Sequence, residues 1–217
     1  MRTLEFSRCE IIFDVRSLSK KIKGIFVNVA AVIFVLTSVS ANTAYAANKI
    51  GNYQLSGGVG DYGDYRRYFY ITSSASSYSS AINNAMNTWV NTSTTPGVTT
   101  SISWRETTTQ SLSVMDIYYG TYFSSGIIAG TDFWTYSTAV DPTTSNWGWG
   151  RIRLNGSTFN CLTAFNRQGT IAHEMGHVFG LDETNSDTTS VMCQLGAGRS
   201  VNRASASDLK TINSIYG

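Results

Sequence analysis

Histidine is scarce in this chain: there are two in 217 residues, His173 and His177. If one metal ion takes both, no imidazole remains to shuttle protons, and a carboxylate must do that work. Cysteine is scarce too, with three in all. Charge is also low, at 14% of residues, and its surplus of basic groups sits at one end. Six of the sixteen Lys and Arg and three of the fourteen Asp and Glu precede Ala47, which leaves ten against eleven in the remainder. The whole-chain pI of 8.4 therefore misleads. No basic patch argues for nucleic acid and no charge run for a membrane surface. Internal repeats, a linker and a second domain are absent as well.

The N-terminal stretch reads as an export signal. Arg2, Arg8, Arg16, Lys20, Lys21 and Lys23 are followed by an apolar run from Gly24 to Val39, then by Ala44-Tyr45-Ala46. A basic region, an apolar region and a small-x-small site make a secretory signal peptide. The apolar run is broken by Asn28 and falls short of the roughly 20 residues that span a bilayer. Residues 1–46 are thus expected to be a signal peptide, and 47–217 a single secreted domain with no membrane association after cleavage. Cys9 leaves with the leader, so Cys161 and Cys193 remain as an even pair in an exported chain. A bridge between them would close a loop of roughly 32 residues, worth roughly 3–4 kcal/mol. Two buried free thiols are the alternative, and a cysteine ligand on the ion is disfavoured by export.

The chemistry concentrates in His173-Glu174-Met175-Gly176-His177. On a helix, residues four apart share one face, so both imidazoles can reach one ion. Glu174 lies beside the first histidine, where its carboxylate can reach a water on that ion. Two histidines for zinc and a glutamate as general base is the known logic of this spacing. Gly180 should end the helix in the left-handed conformation, and Glu183, three residues on, is placed to return as third ligand. Asp182 and Asp187 are the other carboxylates within reach.

Extended through Gly180, Glu183 and Ser190-Val191-Met192, the stretch resembles the metzincin zinc endopeptidases, closest to the matrixin branch. That family's third ligand is usually His, and here the position holds Glu183. The resemblance is specific over residues 173 to 192 and loose over 75 to 217. It implies an α+β, zincin-like catalytic domain: a twisted sheet, a long helix in the N-terminal half, an active-site helix and a C-terminal helix. It also implies Met192 as an apolar floor under the metal. A tyrosine that some metzincins carry two residues after this methionine is replaced by Gln194. No cysteine follows Ala47 before the first strand, so a cysteine-type latency segment is not expected.

Periodicity supplies the rest. Residues 50–72 read as β structure around Gly57-Gly58-Val59-Gly60, with Asp61 and Asp64 as weak calcium candidates. Ile82, Ala85, Met86 and Trp89 recur at helical spacing, which predicts an amphipathic helix over 77–91. Residues 97–104 and 112–119 read as strands, and 126–134 as a short apolar piece. Arg151-Ile152-Arg153-Leu154-Asn155 alternates as a half-buried strand should. Trp147 and Trp149 could stack on sugars but more simply serve the core or its rim. Thr163 or Asn166 can cap the active-site helix, and Ser207 a terminal helix carrying Leu209, Ile212, Ile215 and Tyr216. The expected function is a secreted, monomeric zinc endopeptidase acting on protein or peptide substrates, with Glu174 activating water. A secreted binding module stabilised by zinc and a zinc hydrolase of cell-wall amides are the alternatives.

Overall fold

Helix α3 (Ala164–Val178) carries His173, Glu174 and His177, and it belongs to one of two packed layers. The computed structural model describes residues 47–60, 67–124 and 126–217. The expected leader with Cys9, and the Asp61/Asp64 loop, lie outside these residues. One layer is a six-stranded sheet. Its strands are β1 (Arg67–Ile71), β2 (Trp104–Glu106), β3 (Met115–Gly120), β4 (Ala129–Thr135), β5 (Thr138–Val140) and β6 (Trp149–Asn155). The order across the sheet is β2-β1-β3-β6-β4-β5. The first four in that order run parallel, and β4 is antiparallel to both β6 and β5. The other layer is helical: α1 (Ser79–Val90), the short α2 (Gly156–Phe159), α3 and α4 (Ala206–Tyr216). The expected α+β class is observed.

Alternation sets the two faces of the sheet. Gly150, Ile152 and Leu154 of β6 are buried, while Trp149, Arg151 and Arg153 are half-exposed. On that outer face Asp132 takes both arginines, at 3.0 Å from Arg151 and 2.6 Å from Arg153. Trp149 stacks on Trp134 there at 5.5 Å. Trp147 instead is fully buried, donating its indole N–H to Val178 O at 3.0 Å. The apolar stripe of α1 (Ile82, Ala85, Met86, Trp89) is buried, and Trp89 donates to Ala172 O at 3.0 Å. Two indoles thus pin α3 from opposite layers, each satisfying a polar atom that burial would otherwise penalise.

Several boundaries differ from the sequence reading. Of 97–104 only Trp104 joins the sheet, and residues 53–55 contribute one bridge, Leu55 to Trp147. Small and β-branched residues there satisfy a strand composition, but the chain's neighbours leave them no ladder to join. Thr163, and not Asn166, caps α3, its hydroxyl accepting from Asn166 N–H at 3.2 Å. Ser205, and not Ser207, caps α4, forming a reciprocal capping box with Asp208. Cys193 is a free, buried thiol, so the bridge to Cys161 is not formed. Cys161 lies exposed just past α2 at the surface, while Cys193 is fully buried directly after Met192.

Close approach between sheet and helix requires glycine at one point. A Cβ on Gly150 would lie 2.5 Å from Val178 Cγ2, whereas one on Gly148 would meet nothing nearer than 3.6 Å. Val178 is β-branched and rotamer-locked in its helix, so it cannot swing aside. Gly150→Ala is therefore expected to destabilise by about 1–3 kcal/mol despite alanine's lower chain entropy. Gly148→Ala should be close to neutral. Thermal unfolding of the two variants checks this; equal midpoints would contradict the packing described.

Candidate metal centre

Helix α3 stops where Gly180 turns left-handed, at φ 95°. Gly180 N–H bonds His177 O and Leu181 N–H bonds Gly176 O, both at 2.9 Å, so the freed carbonyls of the last turn are satisfied. The chain then reverses and brings Glu183 back over the histidines. His173 Nε2 and His177 Nε2 lie 3.1 Å apart, and Glu183 Oε1 lies 3.4 and 3.5 Å from them. An ion held tetrahedrally by bonds of about 2.0–2.2 Å needs ligand-to-ligand edges of roughly 3.3–3.6 Å; both edges to Glu183 fall in that range, and the edge between the imidazoles is shorter, at 3.1 Å.

The hydrogen-bond pattern makes the same point. His173 Nδ1 lies 2.9 Å from Val191 O, and His177 Nδ1 lies 2.9 Å from Leu181 O. A carbonyl only accepts, so each ring carries its proton on Nδ1 and turns a lone pair on Nε2 towards the other. Two lone pairs facing each other at 3.1 Å call for a cation or a proton between them. Glu183 Oε2 is buried without a hydrogen-bond partner, a further unused lone pair at the same point. The three residues therefore form a group that can hold a metal ion, all ligand atoms within 4.8 Å. Asp182 and Asp187 are turned to local duties: Asp182 Oδ1 accepts Glu183 N–H at 2.8 Å, and Asp187 Oδ1 accepts Thr189 N–H at 2.9 Å.

Glu174 is the next residue into the cleft and is 6% exposed. Its Oε2 accepts from the Thr131 hydroxyl of β4 at 2.8 Å. Met192 packs against Gly176, between the histidines, where a Cβ would lie 2.3 Å from its sulfur. The Met192 turn is held by Asp208. Its carboxylate accepts from Ser190 Oγ at 2.5 Å, Val191 N–H at 3.0 Å and Ser205 N–H at 2.8 Å. Burial still lifts the Asp208 carboxyl above its ordinary range. The segment after Ala47 clamps the other loop. Asn48 Nδ2 donates to Glu183 O at 2.7 Å, Asp182 N–H to Asn48 O at 2.9 Å, and Ile50 N–H to Gly180 O at 2.9 Å.

Sequence reasoning named His173, Glu174, His177, Glu183 and Met192, and the fold gathers all five. It missed Thr131, Asn48, Gln194, Arg199 and Asp208. Gln194 Nε2 donates to Glu183 Oε1 at 3.1 Å, so this residue braces the carboxylate of the three-residue group. Asp208 could have been found from Ser205-x-x-Asp208, a capping-box spacing. Arg199 could have been found as the one charge between Gln194 and Val201. The others are joined to the site only by tertiary contact. Comparison with protein-family models and with curated proteins finds no match for this chain.

The charges around His177 define a pH dependence. Burial opposes its charged form, but the Glu183 hydrogen bond, the Glu174 and Glu183 charges and the Leu181 carbonyl outweigh burial and raise its pKa to about 8. For Glu183 burial raises and the two imidazoles lower, and the carboxyl falls to about 2. In the metal-free protein the raised His177 stabilises below its ordinary 6.5, and that contribution disappears as pH rises through about 8. The lowered Glu183 stabilises above 4.5 and loses this as pH falls towards about 2. A metal must displace the His177 proton, so affinity should rise about tenfold per pH unit between 6.5 and about 8, then level. Competition against a chromogenic chelator across that range measures the slope. In the same titration, Asn48→Ala should weaken metal binding about tenfold by releasing the Glu183 loop.

Proposed function

We propose that the protein is a zinc-dependent endopeptidase that hydrolyses peptide bonds, a metzincin-like enzyme in which Glu183 takes the place usual for histidine. The observation that carries this is Glu174. A site that held metal only for stability would use four protein ligands and need no base. Here three ligands converge, and a second carboxylate, that of Glu174, sits in the same cleft with one oxygen on Thr131. Two histidines and a carboxylate can also hold iron for oxygenases, but that chemistry needs no adjacent general base.

The donor set suits zinc, with His173, His177 and Glu183 as its ligands. When bound, the ion supplies a Lewis acid that lowers the pKa of a water to about 7 and polarises a carbonyl. Glu174 accepts a proton from the attacking water as the C–O bond forms, and returns it to the nitrogen as the C–N bond breaks. Thr131 fixes Oε2 of that carboxylate, which leaves Oε1 for the exchange. No other imidazole exists to share the task. The fold also offers a mount for an extended chain. β5 pairs with β4 only at Phe133 to Thr135, so among the described residues the edge from Ala129 to Asp132 has no strand partner. An extended substrate can add there by main-chain hydrogen bonds, with the scissile bond beside Thr131 and Glu174. The enzyme is read as an exported monomer.

Metal content and casein hydrolysis of wild type, Glu174→Gln and Glu183→Ala test the assignment. Wild type should hold one zinc and cleave. Glu174→Gln should keep the zinc and lose activity by about 100-fold or more. Glu183→Ala should lose the zinc. Zinc binding without cleavage of any peptide, or activity in Glu174→Gln, overturns the assignment, and hydrolysis of peptidoglycan alone would redirect it to cell-wall amides.

A further inference from the structure

Arg199 has no role in the mechanism above, and it is 6% exposed. Its only hydrogen bond among the described residues runs from Nη2 to Thr170 Oγ1 at 3.1 Å, and its Nε is buried without a partner. None of the carboxylates there forms an ion pair with it. Its ionisable neighbours are the Cys193 thiol, which burial pushes up, and the Glu174 and Glu183 carboxylates, whose charges favour its cation without forming an ion pair with it. A guanidinium cannot shed its proton to escape this situation. Burying a charge without an ion-pair partner is costly, and natural proteins pair such groups.

The missing partner has a place to come from. Arg199 lines a cavity of about 570 Å³ together with His173, Glu174, His177 and Glu183. Its anchor Thr170 lies on α3 one turn before His173 and Glu174, about 5 Å along the axis. A residue of an extended chain spans roughly 3.3–3.6 Å, so the guanidinium stands within one or two residues of the reacting carbonyl. Gly169 keeps it there, since a Cβ would lie 3.1 Å from its Nη2. The flanking residues Leu195 and Gly196 are apolar and add no competing acceptor.

We propose that Arg199 is a specificity-determining residue: it binds a substrate carboxylate next to the scissile bond. The carboxylate is either the side chain of an Asp or Glu or the free C-terminus of a short peptide. A planar guanidinium offers two parallel N–H donors to either. This reading rests on the peptidase assignment for where the substrate lies, but the carboxylate site itself can be tested by binding alone.

The test uses the metal-loaded protein and fluorescein-labelled octapeptides. A single Asp, or its neutral isostere Asn, moves through every position, and each peptide has a free or amidated C-terminus. Binding is followed by anisotropy and cleavage by mass spectrometry. In one register Asp should bind on the order of 10- to 100-fold more tightly than Asn. If the terminal carboxylate is the ligand, the free acid should instead exceed the amide by that factor. Arg199→Met should abolish the preference and Arg199→Lys should keep part of it. Absence of any carboxylate preference in wild type overturns the proposal without recourse to a variant, and so does a preference that survives in Arg199→Met. An Arg199-dependent preference with no cleavage of any peptide leaves the carboxylate site standing and removes the peptidase assignment.

Discussion

Two hydrogen bonds from imidazole Nδ1 to backbone carbonyls set the terms for everything around the cleft. They decide which nitrogen of His173 and His177 keeps its proton, and so which lone pairs face each other. Each depends on a loop that must arrive in the right place. Leu181 O is delivered by the left-handed turn at Gly180, two residues past the helix. Val191 O is delivered by the turn that Asp208 grips through Ser190 and Val191. The same carboxylate caps α4, so the terminal helix and the metal centre are held by one buried group. Hydrogen bonds to its ionised form from Ser190, Val191 and Ser205 counter part of the effect of burial.

Packing explains why those loops can come so near. Gly176 lets the Met192 sulfur approach the helix between the two histidines, and Gly150 lets β6 approach Val178. Trp89 and Trp147 then fix the helix axially through indole N–H bonds to Ala172 O and Val178 O. Rigid support of this kind keeps ligands placed before the ion arrives, which limits the entropy lost on binding. The segment from Asn48 to Ile50 completes the frame, bonding the backbone from Gly180 to Glu183 along its outer side.

The electrostatics of the cleft are unusually mixed. Glu174 and Glu183 raise His177, the imidazoles hold Glu183 down, and Arg199 adds a buried cation without a carboxylate of its own. A metal ion resolves the first cluster, because it replaces the proton that the facing Nε2 atoms would share. It does not give Arg199 an ion-pair partner among the described residues.

Local features were legible before any tertiary contact was known. Helical spacing put His173 and His177 on one face, Gly180 ended the helix, and the alternation at 151–155 and the stripe at 82–89 described a strand and a helix correctly. Such features are written in neighbours three or four residues apart, so periodicity exposes them. The sequence also proposed Glu183 alongside Asp182 and Asp187, and only the reversal of the chain decided which carboxylate meets the imidazoles. Strand composition at 97–104 and the cysteine pair 161/193 pointed to structure that tertiary placement did not form, since a ladder needs an adjacent strand and a bridge needs two nearby thiols. Thr131, Asn48 and Asp208 reach the site across 43, 135 and 17 residues of chain. No local pattern records contacts of that length, because they arise only when the whole core is assembled.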